Sequence, residues 1–362
     1  MKVMFSGGGT AGHIYPALAM AEMIKRKYTD AEFVFVGRLG GDENEAVRRA
    51  GYPVHLLDTV GIRRSLSISN IKAIFKALRA EHEAGCLIKE HSPDIVIGTG
   101  GYVSWPVLRA GIKHKLPTLI HESNAYPGLV TRMLAKHVSA VMLGFDSART
   151  HLPGGSNAVT VGNPVRDGFG SIKKREARKR LGIKDSETLI LSFGGSLGSE
   201  RMNSVILELI SKGACGATVV HATGKRYFEA IKRTHPELVR DRGSRIMPYI
   251  SDMPLWLSAA DLAITRSGAI TLAELCEAGI PSILIPSPNV SDDHQYKNAL
   301  AMSEMGASLV IKESELGEER LRSEIERLLK DKTALIHMGK LAHKGTRALT
   351  EKRILEVIGN CL

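Results

Sequence analysis

The chain has 362 residues, which is too long for one ordinary hydrophobic core and fits two domains. Its 43% hydrophobic and 24% charged residues are typical of a globular protein and exclude a disordered one. A net charge of +11 indicates a polyanion, an acidic membrane surface or phosphorylated substrates as partners. The four cysteines lie far apart, which excludes a zinc motif or disulfide framework and favours a reducing cytoplasm. No leader peptide or membrane span is expected.

Short apolar runs alternate with helical patterns along the chain. In the first half, strands are predicted at residues 3–6, 32–36, 54–57, 94–98, 118–121, 139–143 and 159–162, with helices such as 16–27, 68–90 and 103–114. A linker and one amphipathic helix follow at 161–187, and then strands at 189–193, 217–221, 245–248, 262–265 and 282–286. Charged helices fill the tail from residue 318. Two runs of β-α alternation predict two doubly wound α/β domains that face each other across a cleft.

The first predicted strand is followed by a glycine loop and a histidine. Gly7, Gly9 and Gly12 form G-x-G-x-x-G, which is typical of a dinucleotide-binding loop. A loop that binds NAD also needs an acidic residue at the tip of the second strand to bind the ribose. Arg38 stands there instead, so of the two nicotinamide dinucleotides only NADP, whose 2′-phosphate an arginine can bind, fits this position. His13 opens the next helix, where an imidazole can take or give a proton. It could equally cap the turn or bond a neighbouring carbonyl group.

Two further glycine turns follow strands. The stretch "GTGGYVSWP" provides Thr99, Gly100 and Gly101 as a second anion site. In the second domain, "GGSLGS" provides the hydroxyl group of Ser196. Each could be only a tight turn. Three such turns, divided between two domains, indicate two phosphorylated ligands rather than one dinucleotide.

A nucleotide site is predicted from "TRSGAITLAELCEAG", in which a loop after a strand opens a helix. Its first turn offers backbone amides and the Thr271 hydroxyl to an anion. Glu274 can accept two hydrogen bonds from the vicinal hydroxyls of a ribose, although an acid that offsets the helix dipole is the simpler explanation of Glu274 alone. In "HQYKNA", the amides of Gln295 and Asn298 suit sugar hydroxyls.

These stretches together resemble the MurG family, the bacterial glycosyltransferases that attach N-acetylglucosamine from UDP-N-acetylglucosamine to lipid-linked muramoyl-pentapeptide. The resemblance covers essentially the whole chain and is carried by "GGTAGHIYPALA", "GTGGYVSWP", "HESNAYPGL", "GNPVR", "GGSLGS", "YISDM", "TRSGAITLAEL" and "HQYKNA". It implies the GT-B fold, with an acceptor and membrane-side domain at 1–162, a UDP-sugar-binding domain at 163–340 and a last helix at 341–362 that packs back on the first domain.

The activity that the resemblance implies is inverting transfer to the C4 hydroxyl of lipid I, which gives lipid II. The enzyme would act in cell wall biogenesis, cell shape and cell division, as a peripheral protein at the cytoplasmic face of the cell membrane. The alternative is another GT-B enzyme that uses a UDP-sugar, either a glycolipid glycosyltransferase or a UDP-N-acetylglucosamine 2-epimerase.

The resemblance also implies the residues of the site. His13 would be the general base or its relay, and an acceptor diphosphate would meet Thr99, Gly100, Gly101 and Tyr102. The UDP-N-acetylglucosamine site would consist of Thr10, Ala11, Gly12, Asn124, Arg166, Ser196, Ile250, Ala269, Ile270, Thr271, Leu272, Ala273, Glu274, Gln295 and Asn298.

Two positions depart from the family pattern, and no metal is expected. The family usually has glycine at Ala11 and glutamine at Ser123, which puts donor affinity in question. No D-x-D motif follows a strand, and Asp292-Asp293 is interpreted as a solvated turn. Because amides and an arginine can stabilise a leaving diphosphate, neither a metal nor another cofactor is predicted to be obligatory.

The helix pattern at 68–90 carries an apolar stripe with bases beside it. Ile71, Phe75 and Leu78 share one helical face, and Lys76 and Arg79 lie next to it. Such a face can lie on an anionic bilayer, or it can pack on the sheet as most helix stripes do. Because the lipid-linked acceptor that the resemblance implies requires a docking surface on the membrane, we weigh the two interpretations equally. Nucleic acid is not an expected partner, because aromatic residues are only 5% and no RNA-binding signature is present.

Overall fold

The computed structural model describes residues 1–9, 11–41, 44–61, 68–195, 197–240, 245–343 and 347–362. The chain forms two compact units, Met1–Arg166 with Arg347–Leu362 and Asp167–Thr346. The predicted boundaries, after residues 162 and 340, lie slightly upstream of both. The predicted site residues Thr10 and Ser196 lie outside the described residues, as do the side chains of Ala11 and Ile71.

The regular elements are numbered along the chain. The strands are β1 (Lys2–Ser6), β2 (Glu32–Arg38), β3 (Val54–Leu57), β4 (Ile95–Gly98), β5 (Thr118–Glu122), β6 (Ala140–Leu143), β7 (Ala158–Thr160), β8 (Leu189–Phe193), β9 (Thr218–Ala222), β10 (Arg245–Met247), β11 (Leu262–Thr265), β12 (Ser282–Leu284) and β13 (Ser308–Val310). The α-helices are α1 (Ala11–Lys27), α2 (Asn44–Arg49), α3 (Ile68–His91), α4 (Ser104–Lys113), α5 (Leu129–Leu134), α6 (Lys174–Leu181), α7 (Glu200–Ser211), α8 (Lys225–Thr234), α9 (Pro236–Arg240), α10 (Met253–Ala259), α11 (Ala269–Ala278), α12 (His294–Glu304), α13 (Glu318–Lys330), α14 (Lys332–Ala342) and α15 (Arg347–Cys361).

The first unit is a parallel sheet in the order β3-β2-β1-β4-β5-β6-β7 with helices on both faces. On one face, Met20 and Ile24 of α1 share a core with Ile354 and Ile358 of α15. Helices α3, α4 and α5 cover the other face. Because both faces are buried, the strands are nearly continuous apolar runs, which is why the sequence indicated them.

The second unit is a parallel sheet in the order β10-β9-β8-β11-β12-β13. Its core includes Met202 and Ile206 of α7 and Leu321 and Ile325 of α13. The prediction of two doubly wound α/β domains is therefore confirmed. It missed β13, a strand of three residues at the edge of this sheet.

Each sheet has one point at which the order of the strands reverses. In the first unit this switch point lies between β1 and β4, and in the second it lies between β8 and β11. In doubly wound sheets, ligands bind beyond the carboxyl ends of the strands at such a point. All four loops that follow these strands were predicted from the sequence to carry site residues.

A buried arginine fixes the start of the second unit. Arg178 of α6 is 3% exposed, and its guanidinium donates to the carbonyl oxygens of Lys184, Asp185 and Glu187 at 2.9–3.1 Å and to that of Ala259 at 3.0 Å. It also pairs with the carboxylate of Asp261 at 2.6 Å. The amphipathic helix predicted within the 161–187 segment is α6, and its one buried cation anchors it to the segments that precede β8 and β11.

We expect Arg178→Met to lower the free energy of unfolding of the second unit by about 3 kcal/mol, because four carbonyl oxygens and the Asp261 carboxylate lose the hydrogen bonds of this buried guanidinium. Arg180→Met is the matched control: Arg180 lies on the same helix, and its ion pair with Glu176 is exposed, so a change of about 0.5 kcal/mol or less is expected. Urea denaturation measures both, and equal losses would contradict the assignment.

Candidate functional site

Glycine loops of the first unit pack backbone against backbone at the switch point. Gly101 has φ 78°, and a Cβ there would lie 2.0 Å from the carbonyl oxygen of Gly8. A Cβ on Gly7 would lie 2.2 Å from Oγ1 of Thr99. The loops after β1 and β4 therefore approach each other more closely than any side chain allows, and the glycines are required for that approach.

His13 lies between these two loops. Its Nδ1 is 3.0 Å from the carbonyl oxygen of Gly8, which can only accept, so Nδ1 carries the proton in the neutral ring and Nε2 is the basic nitrogen. The hydroxyl of Thr99 donates to the backbone carbonyl of His13 at 2.7 Å. A Cβ on Gly100 would lie 2.6 Å from the imidazole ring. The ring is therefore held in one orientation, with its tautomer set by the glycine loop.

Tyr102 closes the same loop, and α1 begins beside it. The ring of Tyr102 lies over Gly61 and Gly9, where added Cβ atoms would be 3.2 and 3.6 Å away. Ala11 is the first residue of α1, a helical position that alanine favours, so the departure from glycine is compatible with the backbone. Gly12 follows it and is exposed.

The loop after β5 is organised by a buried carboxylate that the sequence interpretation did not single out. Glu122 is 5% exposed; its Oε1 accepts from the backbone N and Nδ2 of Asn124 at 3.0 and 3.2 Å. Its Oε2 accepts from the backbone N of Gly128 at 2.8 Å and the hydroxyl of Thr131 at 2.7 Å. The predicted donor-binding Asn124 is thus oriented by Glu122. An acid at the end of an apolar strand, before an Asn-containing turn, was the available signal.

The second departure from the family, Ser123, points into the protein. Its hydroxyl is 3.3 Å from Nδ1 of His121, whose Nε2 donates to the carbonyl oxygen of Gly162 at 3.2 Å. Asn163 donates to the carbonyl oxygen of Ser123 at 2.9 Å. Burial lowers the pKa of His121, so the ring is neutral and accepts from the serine.

Arg166, a predicted donor-binding residue, stacks on an aromatic ring. Its guanidinium lies over the ring of Tyr15, 4.4 Å from the ring centroid.

An arginine joins the loops of the second unit. Arg266, at the end of β11, donates to Oγ of Ser199 at 2.6 Å and to the carbonyl oxygens of Ile285 and Pro286 at 3.0 and 3.2 Å. It also forms an ion pair with Glu313. Ser199 is the last residue of the predicted phosphate loop and the N-cap of α7. Arg266 therefore connects three loops at this edge of the sheet, a role that its sequence neighbours did not reveal.

The amide side chains predicted to read a sugar have different positions. Asn298 is fully buried and donates to the carbonyl oxygen of Ser267 at 3.2 Å, so it stabilises the loop after β11, and its contact to the sugar stays a prediction. Gln295 is half-buried, and its Oε1 accepts from the backbone N of Ser287 at 2.9 Å. Its own carbonyl accepts from the Ser267 hydroxyl at 2.7 Å. Gln295 remains a predicted contact to the sugar.

Helix α11 opens directly after these loops. Gly268 is its N-cap and makes no side-chain cap bond, and Ala269–Ala278 follows as a ten-residue helix. Thr271 and Glu274 are both half-buried in its first turns, as a contact to phosphate and ribose requires. Ile250, whose backbone is predicted to meet a base, is 2% exposed and lies after β10.

The described residues contain neither a metal-binding cluster nor a membrane-spanning helix. Across the residues that the structure describes, no group of three or more His, Cys, Asp or Glu side chains is arranged to hold a metal ion. Within the same ranges, every helix is too short or too polar to cross a bilayer.

The apolar stripe of α3 faces outward. Phe75 is 69% exposed and Leu78 is 52% exposed, whereas Ala80 and Ala84 of the same helix are buried in the sheet core. Of the two interpretations of this stripe, packing on the sheet therefore does not apply to Phe75 and Leu78. Small alanines allow the helix to lie close to the strands while its large side chains point away. Arg79, paired with Glu83, is 83% exposed on this surface.

Known proteins match the chain over nearly its full length. The profiles of the glycosyltransferase family 28 N-terminal and C-terminal domains match residues 3–143 and 189–354. The UDP-N-acetylglucosamine–N-acetylmuramyl-(pentapeptide) pyrophosphoryl-undecaprenol N-acetylglucosamine transferase of Acetivibrio thermocellus is 42% identical over 360 residues, 99% of this chain and 97% of that protein. The chain belongs to the MurG family of glycosyltransferases. The crystal structure of Acinetobacter baumannii MurG is similar with a TM-score of 0.77 at 26% identity, covering 99% of both chains.

Family membership confirms the predicted enzyme class and the GT-B fold. The chain is an N-acetylglucosaminyltransferase of peptidoglycan synthesis. A UDP-N-acetylglucosamine 2-epimerase from Neisseria meningitidis has a TM-score of 0.69 at 12% identity, covering 99% of this chain and 100% of that one. At that identity the likeness shows a common fold and no more. The dinucleotide interpretation of the first glycine loop is not supported.

We expect Glu122→Gln to lower the free energy of unfolding of the first unit by about 1–3 kcal/mol, because an amide cannot accept all four hydrogen bonds that the carboxylate accepts. Hydrogen exchange at residues 122–131 should become faster in the same variant. Glu45→Gln is the control, since the Glu45–Arg49 pair is exposed and worth about 0.5 kcal/mol or less. Unchanged exchange in this loop would rule out the role of Glu122.

Proposed function

We propose that this chain transfers N-acetylglucosamine from UDP-N-acetylglucosamine to the C4 hydroxyl of undecaprenyl-diphosphate-linked N-acetylmuramoyl-pentapeptide, with inversion at the anomeric carbon. The observation that carries the proposal is the identity of 42% to a transferase of that name over 99% of this chain. The acceptor hydroxyl attacks the anomeric carbon, the bond to the β-phosphate oxygen breaks, and UDP leaves.

The acceptor hydroxyl must lose its proton as it attacks, and we assign this role to His13. Nδ1–H is engaged by the carbonyl oxygen of Gly8, so Nε2 is the nitrogen that takes the proton. The packing of Gly100 against the ring limits its rotation. In the same loop, Thr99, Gly100, Gly101 and Tyr102 are proposed to meet the acceptor diphosphate.

Charge on the leaving diphosphate is proposed to be stabilised without an obligatory metal. The amides that open α11 at Ala269 present partial positive charge, and Arg166 and Ser196 are proposed to contribute a cation and a hydroxyl. Glu274 is proposed to bind the ribose, and the backbone of Ile250 to bind the uracil. Arg266 supports this site by joining the loops around it.

The surface of α3 is proposed to hold the enzyme on the cytoplasmic face of the membrane as a peripheral protein. Phe75 and Leu78 are more than half exposed, and beside them lie the exposed Arg79, paired with Glu83, and the half-buried Lys76, paired with Asp58. Apolar side chains rimmed by bases enter an anionic interface, where each base near the surface contributes about 1 kcal/mol. The net charge of +11 also attracts the protein to an anionic membrane surface.

The function is tested by incubating the purified chain with radiolabelled UDP-N-acetylglucosamine, with and without the lipid-linked acceptor. Label should move into lipid only when the acceptor is present. Conversion of UDP-N-acetylglucosamine to its 2-epimer in the absence of acceptor would establish the epimerase alternative instead.

His13→Ala should lower kcat about 10²- to 10⁴-fold while the Kd for UDP changes little, because a base acts on the acceptor and not on the nucleotide.

The control for His13 is His137→Ala, an exposed histidine of the same unit that should leave kcat unchanged. A His13→Ala enzyme that loses UDP affinity but keeps its turnover per bound donor would end the base assignment.

Membrane attachment is tested by sedimentation with anionic phospholipid vesicles. Phe75→Ser with Leu78→Ser should lower the bound fraction about tenfold or more, because roughly 1.5–3 kcal/mol of burial is lost per side chain. Ile336→Ser is the matched control, since Ile336 is 60% exposed in the other unit. Unchanged sedimentation of the double variant, with its fold intact by circular dichroism, would refute this docking surface.

A further inference from the structure

A fully buried histidine lies beneath the predicted phosphate loop of the second unit. His221 of β9 is 0% exposed, and its Nδ1 is 3.0 Å from Oγ of Ser192 on the neighbouring strand β8. Its Nε2 is 3.0 Å from Oδ1 of Asn203 on α7. None of these three side chains was predicted as a site residue, and the reaction steps assigned above do not use them.

The hydrogen-bond network fixes the proton positions in this triad. Asn203 donates through Nδ2 to the carbonyl oxygen of Thr223 at 3.0 Å, so its Oδ1 faces the imidazole. Nε2 of His221 must therefore carry the proton, and Nδ1 must accept from the hydroxyl of Ser192. Burial lowers the pKa of His221 to about 4, so the ring is neutral at physiological pH and both bonds persist.

Asn203 connects this histidine to the phosphate loop. Its backbone N donates to the carbonyl oxygen of Ser199 at 2.8 Å, and Ser199 ends the "GGSLGS" turn. Thr223, the other partner of Asn203, is packed against the same turn: a Cβ on Gly198 would lie 2.1 Å from the Thr223 carbonyl oxygen. The end of the loop at Gly198 and Ser199 is thus held by Asn203 and Thr223 and also by Arg266, which donates to the Ser199 hydroxyl.

We propose that His221 is a positioning residue for the diphosphate of the donor: through Asn203 it sets the orientation of α7 and of residues 197–199, which lead into that helix. The proposal rests on the proposed function, which gives this turn a phosphate to bind. Glycine turns offer backbone amides, and amides bind an anion well only when their directions are fixed before binding. A neutral imidazole that donates on one edge and accepts on the other supplies this constraint without adding a buried charge.

Two variants of His221 separate positioning from mere stability. His221→Leu keeps most of the volume but leaves Asn203 Oδ1 and the Ser192 hydroxyl unpaired. Hydrogen exchange at residues 194–203 of the ligand-free protein should then become about tenfold faster. The Kd for UDP and the KM for UDP-N-acetylglucosamine should rise about tenfold, while the KM for the acceptor stays unchanged. His221→Gln, whose amide can both donate and accept, should recover most of both properties.

The matched control is Ser282→Ala, which removes another buried hydrogen bond of the same sheet. Ser282 and Ser308 pair at 2.7 Å at the amino ends of β12 and β13, away from the loops. This variant should lose stability but keep its UDP affinity and its exchange at residues 194–203. If His221→Leu also loses only stability and keeps its UDP affinity and its exchange rates at residues 194–203, the proposal is overturned. Failure of the wild-type chain to bind UDP would refute the proposed donor function instead, and the exchange rates would still decide the role of His221.

Discussion

The site depends on backbone segments that approach each other more closely than any side chain allows. At the switch point of the first unit, Gly101 lies against the carbonyl of Gly8, and in the second unit Gly198 lies against the carbonyl of Thr223. Neighbouring parallel strands end side by side, but their loops can lie together only if nothing fills the space between them. This approach brings the His13 ring to the loop after β4.

Close backbone packing alone would leave the loops without a defined orientation, and buried polar side chains supply it. Glu122 accepts from three groups of its own loop and one of α5, Arg266 donates to three loops, and His221 both donates and accepts. A carboxylate, a guanidinium and a neutral imidazole thus each fix the orientation of the segments that they contact. Each is stable when buried because its hydrogen-bonding groups are matched, whereas an unmatched one would cost about 1–3 kcal/mol.

The sequence allowed the strands and the loops to be predicted, because both have local signals. Strands buried on two faces are apolar runs, and loops at a switch point are rich in glycine. The edge strand β13 has only three residues, two of them half-buried, so its signal is weak. The role of Arg266 depends on which strands are neighbours, and Asn298 is buried only because α12 packs on the sheet, whereas the partners of Glu122 all lie within nine residues of it. Residue type in one sequence does not carry such tertiary information.

The two departures from the family pattern are informative about how the site is built. At Ala11 the position is the first residue of a helix, which alanine favours. At Ser123 the carbonyl accepts from Asn163 and the hydroxyl donates to His121, so both polar groups of this buried residue are matched. The structure therefore accommodates both departures, because neither leaves a strained backbone or an unpaired buried group.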